Sequence, residues 1–171
     1  MEYHVYSPND SGGSYLVEGD CRQVRPDILI SKDGVIIAIL DAKYKWYKKI
    51  GKHADKNNSV SRDDLYQMIT YLYRYAEPDK KVVGLFISPV KNFSESPDSD
   101  VKSLNNHENH KIGVINLDIE QFNTSGDDNK TPFSLKTIQE EEVRFIDNIK
   151  KYLIILNELN PSSSLLMMWL L

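Results

Sequence analysis

The chain's strongest folding constraint is a pair of apolar runs joined by a turn: Ile28-Leu29-Ile30, then Ser31-Lys32-Asp33-Gly34, then Val35 to Leu40 without a polar residue. Asp-Gly between two apolar runs is a hairpin signal, so the reading is strand, turn, strand. Alternation along the second strand puts Val35, Ile37, Ile39, Asp41 and Lys43 on one face and Ile36, Ala38, Leu40, Ala42 and Tyr44 on the other. Both faces are apolar over most of their length, which is the pattern of a strand in the middle of a sheet.

Polar residues gather at one end of this hairpin. Arg25-Pro26-Asp27 precedes the first strand, and Asp41-Ala42-Lys43 closes the second. Residues two apart on a strand share a face with Cα atoms roughly 6.5 Å apart, so Asp41 and Lys43 can act on one group. Antiparallel pairing brings Asp27 beside the Asp41 end of the second strand. Two acids and a lysine there match what phosphodiester hydrolysis requires. A hard divalent cation on carboxylate oxygens neutralises the phosphoryl charge and helps deprotonate water. Asp27 and Asp41 are the expected ligands, with the Ala42 backbone carbonyl as a third and Mg2+ or Mn2+ as the cation. Lys43 is expected to orient the attacking water or to stabilise developing charge. An ordinary salt bridge at a sheet rim would use the same residue types, and Pro-Asp alone is a common turn dipeptide. Cys21 and the scattered His4, His53, His107 and His110 lack the spacing of a zinc site.

Ser61 to Ala76 reads as a helix, with Ser61 as N-cap, Asp63 and Asp64 in the first turn, and Leu65, Met68, Ile69, Leu72 and Ala76 as the apolar stripe. Gln67, Tyr71 and Arg74 fall on the other side. Gln67 and Tyr71 stand one turn apart and reach the same region, either as a working pair or as part of a solvated face.

Taken together, R-P-D, I-L-D-A-K and D-L-Y-Q-M-I-T-Y resemble the PD-(D/E)xK nuclease superfamily, most closely the C-terminal nuclease domain of McrC, a subunit of McrBC-type 5-methylcytosine-specific restriction systems. The resemblance is good over roughly residues 14–90 and weak beyond. It implies a restriction-endonuclease-like α/β fold, a mixed central sheet flanked by helices. It implies Asp27, Asp41 and Lys43 as the catalytic set of a Mg2+-dependent DNA endonuclease, Gln67 and Tyr71 as an auxiliary pair at the site, and an AAA+ GTPase motor as partner. A repair nuclease of RecB or resolvase type, and an inactive remnant that serves as a binding module, remain alternatives. The superfamily's core normally starts with a helix carrying another acid, and McrC proteins place a further domain ahead of it. Residues 1–13 carry no helical pattern, so both parts are expected to be missing.

The remaining chain supports one domain over residues 1–160. With 171 residues, 40% of them hydrophobic, it can bury a single core. A lone cysteine and the lack of a basic-then-apolar leader after Met1 lead us to expect a cytoplasmic protein. A net charge of −4 opposes strong intrinsic DNA affinity. Lys45, Lys48, Lys49 and Lys52, interleaved with Tyr44, Trp46 and Tyr47, form the local basic patch that would contact DNA phosphates and bases, unless it merely solubilises the strand end. Strands are expected over 81–88 and 111–118, with a long loop over 92–109 that holds His107 and His110, and a second loop over 121–136. A C-terminal helix is expected over about 137–159, capped by Thr137, with Phe145, Ile149, Tyr152, Leu156 and Leu159 as its stripe. The apolar run 165–171 is far shorter than the roughly 20 residues that span a bilayer, so no membrane is expected.

Overall fold

A computed structural model describes residues 2–8, 14–17, 21–47, 50, 59–90, 101–119 and 135–158. Among these residues the strands are β1 (Tyr3–Tyr6), β2 (Ser14–Val17), β3 (Cys21–Val24), β4 (Ile28–Lys32), β5 (Val35–Ala42), β6 (Val82–Val90), β7 (Lys102–Leu104) and β8 (His107–Asp118). The helices are α1 (Arg62–Tyr75) and α2 (Leu135–Glu158). The fold is restriction-endonuclease-like α/β. A six-stranded mixed sheet in the order β1-β4-β5-β6-β8-β7 forms its centre, and β2 and β3 pair separately.

The predicted hairpin is present. Asp33 and Gly34 have φ of 50° and 82°, the positive values that a type I′ turn demands at both central residues. The register from Ile28↔Leu40 to Ile30↔Ala38 shifts to Ser31↔Ile36, a β-bulge. The bulge corrects the strict alternation expected for β5. Ile36 packs with Ile39 in one core cluster, whereas Ile37 packs with Ala38 and Leu40 in the other. Beyond the bulge the period is regular, so Ile39 and Asp41 stay on one face.

β5 and β6 run parallel, as do β6 and β8. Their buried residues divide the core in two. On one side Ile39, Phe86, Ile112 and Val114 pack with Met68 and Leu72 of α1. On the other, Leu40, Val83, Leu85 and Ile115 pack with Tyr152 of α2, whose hydroxyl donates to the Val114 carbonyl at 2.6 Å. The chain leaves the C-terminal end of β5 and returns through α1 into β6. That crossover holds α1 over the end of β5 where Asp41 stands.

Several expectations need revision. β8 begins at His107, so the latter part of the expected 92–109 loop is a β7–β8 hairpin. His107 and His110 are strand residues with stacked rings 5.8 Å apart, and His110 is buried rather than solvated. α2 starts at Leu135, so Thr137 lies inside the helix and does not cap it. Tyr3–Tyr6 pairs with β4 as an edge strand. Residues 9–13, on which the expected lack of a first helix turns, lie outside the described residues, as do 120–134, the Leu159 end of the expected stripe and the apolar run 165–171. Among the described residues no helix is long and apolar enough to cross a membrane.

Candidate active site

Asp27 precedes β4 and Asp41 is the penultimate residue of β5; continuing the Ile28↔Leu40 register sets the two acids across from each other. Pro26 is fully buried and anchors this corner. Asp27 Oδ2 accepts the Ala42 backbone N–H at 2.7 Å, which ties the start of β4 to the end of β5. The Lys43 N–H donates to the Ile87 carbonyl at 2.8 Å, extending the β5–β6 ladder by one residue. The strand end that carries Asp41, Ala42 and Lys43 is therefore held from both sides.

Asp41 is buried at 4% exposure. Burial pushes its carboxyl above the ordinary carboxylate range; Lys43 opposes that shift, and the charges of Asp27 and Asp64 add to it. The Lys43 ammonium lies 2.5 Å from Asp41 Oδ2, yet this buried oxygen has no hydrogen bond of good geometry. The two groups form a close ion pair.

Gln67 joins the helix to the strand. Its Oε1 accepts from Lys43 Nζ at 2.7 Å, its Nε2 donates to the Tyr71 hydroxyl at 2.7 Å, and that hydroxyl donates to the Arg25 carbonyl at 3.1 Å. The direction follows from the ends of the chain. An ammonium can only donate and a carbonyl can only accept, so the amide must present oxygen to Lys43 and nitrogen to Tyr71. Gln67 and Tyr71 thus share one location, as their helical spacing predicts, but Tyr71 is buried instead of lining a solvated face. Burial, with the nearby charge of Asp41, raises its hydroxyl well above the usual tyrosine range, so it serves as a neutral link.

Asp64 is the residue that sequence reasoning missed. It was assigned only to the helix dipole. Ser61 caps α1 by accepting the Asp64 N–H at 3.2 Å, as the sequence predicts. The Asp64 carboxylate turns back toward the end of β5, with Oδ1 3.4 Å from Lys43 Nζ and Oδ2 2.7 Å from Lys45 Nζ. It also accepts hydrogen bonds from the Tyr47 and Ser61 hydroxyls. Burial opposes its charge, but the bonds from Lys45, Ser61 and Tyr47 win and hold the carboxyl well below the ordinary range. The sequence signal was Ser-x-x-Asp at a helix start, a capping-box spacing; nothing in it named the lysines.

A depressed carboxyl stabilises the fold at pH values above its unfolded pKa of about 3.9, and loses that contribution as pH falls through the folded value. Asp64→Asn is thus expected to melt below the parent chain from neutral pH down to about pH 4, with the gap closing only in stronger acid. Thermal melts of both chains across that range measure it.

The proposed DNA-contacting patch is partly redirected. Lys45 is paired with Asp64 while its side chain remains 59% exposed. Tyr47 belongs to the core, edge-on to Phe86 at 6.1 Å between ring centroids. Its N–H donates to the Ser88 hydroxyl at 2.7 Å, and that hydroxyl donates to the Lys45 carbonyl at 2.8 Å. Tyr44 and Trp46 are exposed. Lys48, Lys49 and Lys52 lie outside the described residues. Among the described residues no group of three or more His, Cys, Asp and Glu side chains is placed to hold a metal.

Residues 5–88 match the family model of the McrBC 5-methylcytosine restriction system component. The match spans just under half of the chain. That segment contains Asp27, Asp41, Lys43, Asp64, Gln67 and Tyr71, so every residue of the cluster lies within the McrBC match. Among solved structures, a chain of the half-complex from the tetradecameric assembly of Thermococcus gammatolerans McrB AAA+ hexamers with bound McrC is similar at 20% identity, with a TM-score of 0.46. The similarity covers 80% of this chain and 27% of that one, so this chain spans about a quarter of its length. No curated protein matches the chain.

Proposed function

We propose that this chain is the nuclease-bearing part of a McrBC-type restriction system and hydrolyses DNA phosphodiesters with the help of a divalent cation. The observation that carries the reading is the junction of Asp27, Asp41 and Lys43 at the end of β5, inside the family match, with Lys43 bound through Gln67 to α1.

The donor set fits a hard cation. Asp27 and Asp41 fall opposite each other where the β4–β5 register is continued by one residue, and the buried Asp41 Oδ2 lacks a well-formed hydrogen bond. Asp27, Asp41 and the Ala42 carbonyl would hold Mg2+ or Mn2+, oxygen-preferring ions that keep several waters. When bound, the cation supplies charge neutralisation at the scissile phosphate and a more acidic water. The protein's own residues do the positioning. The 2.7 Å bond from the Ala42 N–H fixes one Asp27 oxygen. Lys43 presents a positive charge beside Asp41, where it can orient water or stabilise the phosphorane's oxygens, and Gln67 keeps its ammonium from turning to solvent. Lys45, which reaches Asp64, and the exposed Tyr44 and Trp46 on either side of it in sequence are suited to the phosphates and bases of the strand being cut.

The net charge of −4 makes tight unaided DNA binding unfavourable. Target selection is therefore assigned to a partner, an AAA+ GTPase motor of the McrB kind. Plasmid cleavage by the purified chain with Mg2+, alone and with such a motor supplied, tests the reading, and absence of cleavage in both would refute it. Lys43→Ala is expected to abolish cleavage. Gln67→Ala, which leaves the ammonium in place but less well held, should slow it by only about 10-fold, a fraction of what loss of a charge-stabilising group costs. Equal losses in a time course would mean that Gln67 does more than position Lys43.

A further inference from the structure

The Lys43 ammonium has three oxygen neighbours on two elements: Asp41 Oδ2 at 2.5 Å, Gln67 Oε1 at 2.7 Å and Asp64 Oδ1 at 3.4 Å. They are not equivalent. Asp41 is one of the acids assigned to the cation, Gln67 is neutral, and Asp64 is a carboxylate with no place in the cation's donor set. With Lys43 only 2.5 Å away, Asp41 Oδ2 cannot also accept a divalent ion without bringing two positive charges into contact, a strongly unfavourable arrangement at a buried site. The lysine must withdraw from Asp41 as a cation arrives, yet it must stay near to act.

We propose that Asp64 is a positioning residue that receives the Lys43 ammonium when a divalent cation occupies Asp41. This rests on the reading of Asp27 and Asp41 as cation ligands. Asp64 is equipped for the task. Its position is fixed at the start of α1, where its own N–H is bonded to Ser61 Oγ. Its Oδ2 is occupied by Lys45, Tyr47 and Ser61, which leaves Oδ1 turned toward Lys43. Those same bonds keep the carboxylate ionised, so it offers a full negative charge. The Gln67 amide bridges either position, since it already holds Lys43 between the two acids. Asp64 therefore sets how readily the cation displaces the lysine and where the lysine then stands, without touching the cation itself.

The test is Mn2+ binding to the full chain without DNA, followed by calorimetry or by the electron paramagnetic resonance of free Mn2+. Four chains are compared: the parent, Lys43→Met, Asp64→Asn and the double variant. Lys43→Met, which removes the competitor, should tighten binding. Asp64→Asn should weaken it by about fivefold in the parent but by less than about twofold in the Lys43→Met background, the coupling expected of charges that act through each other. Asp64→Glu, which keeps the charge, should bind Mn2+ much as the parent does. Equal weakening in both backgrounds would overturn the assignment, because Asp64 would then act as a distant charge independent of Lys43. Should Asp64→Asn fail to fold, Lys43→Met decides alone: unchanged or weaker binding overturns the competition. If the parent chain does not bind Mn2+, or Asp41→Ala binds it equally well, the cation reading itself falls and this role for Asp64 falls with it. If the parent binds and Asp41→Ala does not, only the role of Asp64 is at stake.

Discussion

Asp41→Ala is expected to reduce Mg2+-dependent plasmid cleavage by at least roughly 10^3-fold, the scale of losing a principal charge-stabilising group in a dry site. Asp41 is the most buried acid of the cluster, and it faces Asp27 across the β4–β5 register while touching Lys43. Removing it takes away one of two carboxylates and leaves Lys43 to Asp64 and Gln67. The loss should not be a folding defect. Burial raises the Asp41 carboxyl, with the neighbouring acids adding to the shift. A raised acid contributes stability that is present below its unfolded pKa and is lost as pH rises through the folded value. At pH 7 the ionised group is thus a liability to the fold. Asp41→Asn, of the same shape without the charge, should melt at or above the parent at pH 7, with its advantage shrinking as the pH falls toward about 4. A dead variant with undiminished Tm would identify a group kept for chemistry, whereas undiminished cleavage would remove Asp41 from the active site.

Gly84→Ala is expected to destabilise the fold by about 2 kcal/mol, within the range for overpacking a filled core. For a chain of this size that lowers Tm by roughly 4–8 °C. Gly84 lies in β6 directly beneath α1. A Cβ there would stand 2.5 Å from Met68 Sδ and 2.7 Å from Met68 Cγ, with Leu72 Cδ1 at 3.5 Å. Methionine side chains can turn, but Met68 is fully buried and Leu72 nearly so, which leaves little space to turn into. The alternative is for α1 to lift from the sheet. Because Gln67 precedes Met68, lifting would stretch the 2.7 Å contact with Lys43, so cleavage should fall along with stability. Gly84→Ala made in a Met68→Ala chain should cost far less, since the clashing atoms are gone; thermal melts of the four chains complete the cycle. An unshifted Tm in the single variant would mean that the helix is not seated as closely as these contacts require.

Much of the local structure was legible because it depends on neighbours in sequence. Asp33-Gly34 specified its turn, the apolar run ending at Leu40 a central strand, and Ser61 the start of α1. Where a distant partner decided the outcome, local pattern was insufficient. The bulge opposite Ser31 turned Ile37 to the α2 side, although alternation within β5 alone put it with Ile39. Tyr47 and Tyr71 looked exposed because each lies near polar residues, yet one packs against Phe86 and the other reaches the Arg25 carbonyl. His107 and His110 sat in a polar stretch whose strand character comes from pairing with β6 and β7.

Within the candidate site, sequence alone pointed to Asp27, Asp41, Lys43, Gln67 and Tyr71 as candidates. Residue chemistry and a short hairpin are enough to gather the first three, and helical period places the last two together. It did not determine what each side chain would face. The β5-α1-β6 crossover set α1 over the strand end, and the lack of a side chain at Gly84 let the helix come close. Only that approach turned Gln67 into a link between Lys43 and Tyr71, and made Asp64, otherwise a helix-capping acid, the second carboxylate beside the lysine. Backbone hydrogen bonding and apolar periodicity act over a few residues and are written in the local sequence, whereas an ion pair depends on distances that exist only once helix and sheet have packed.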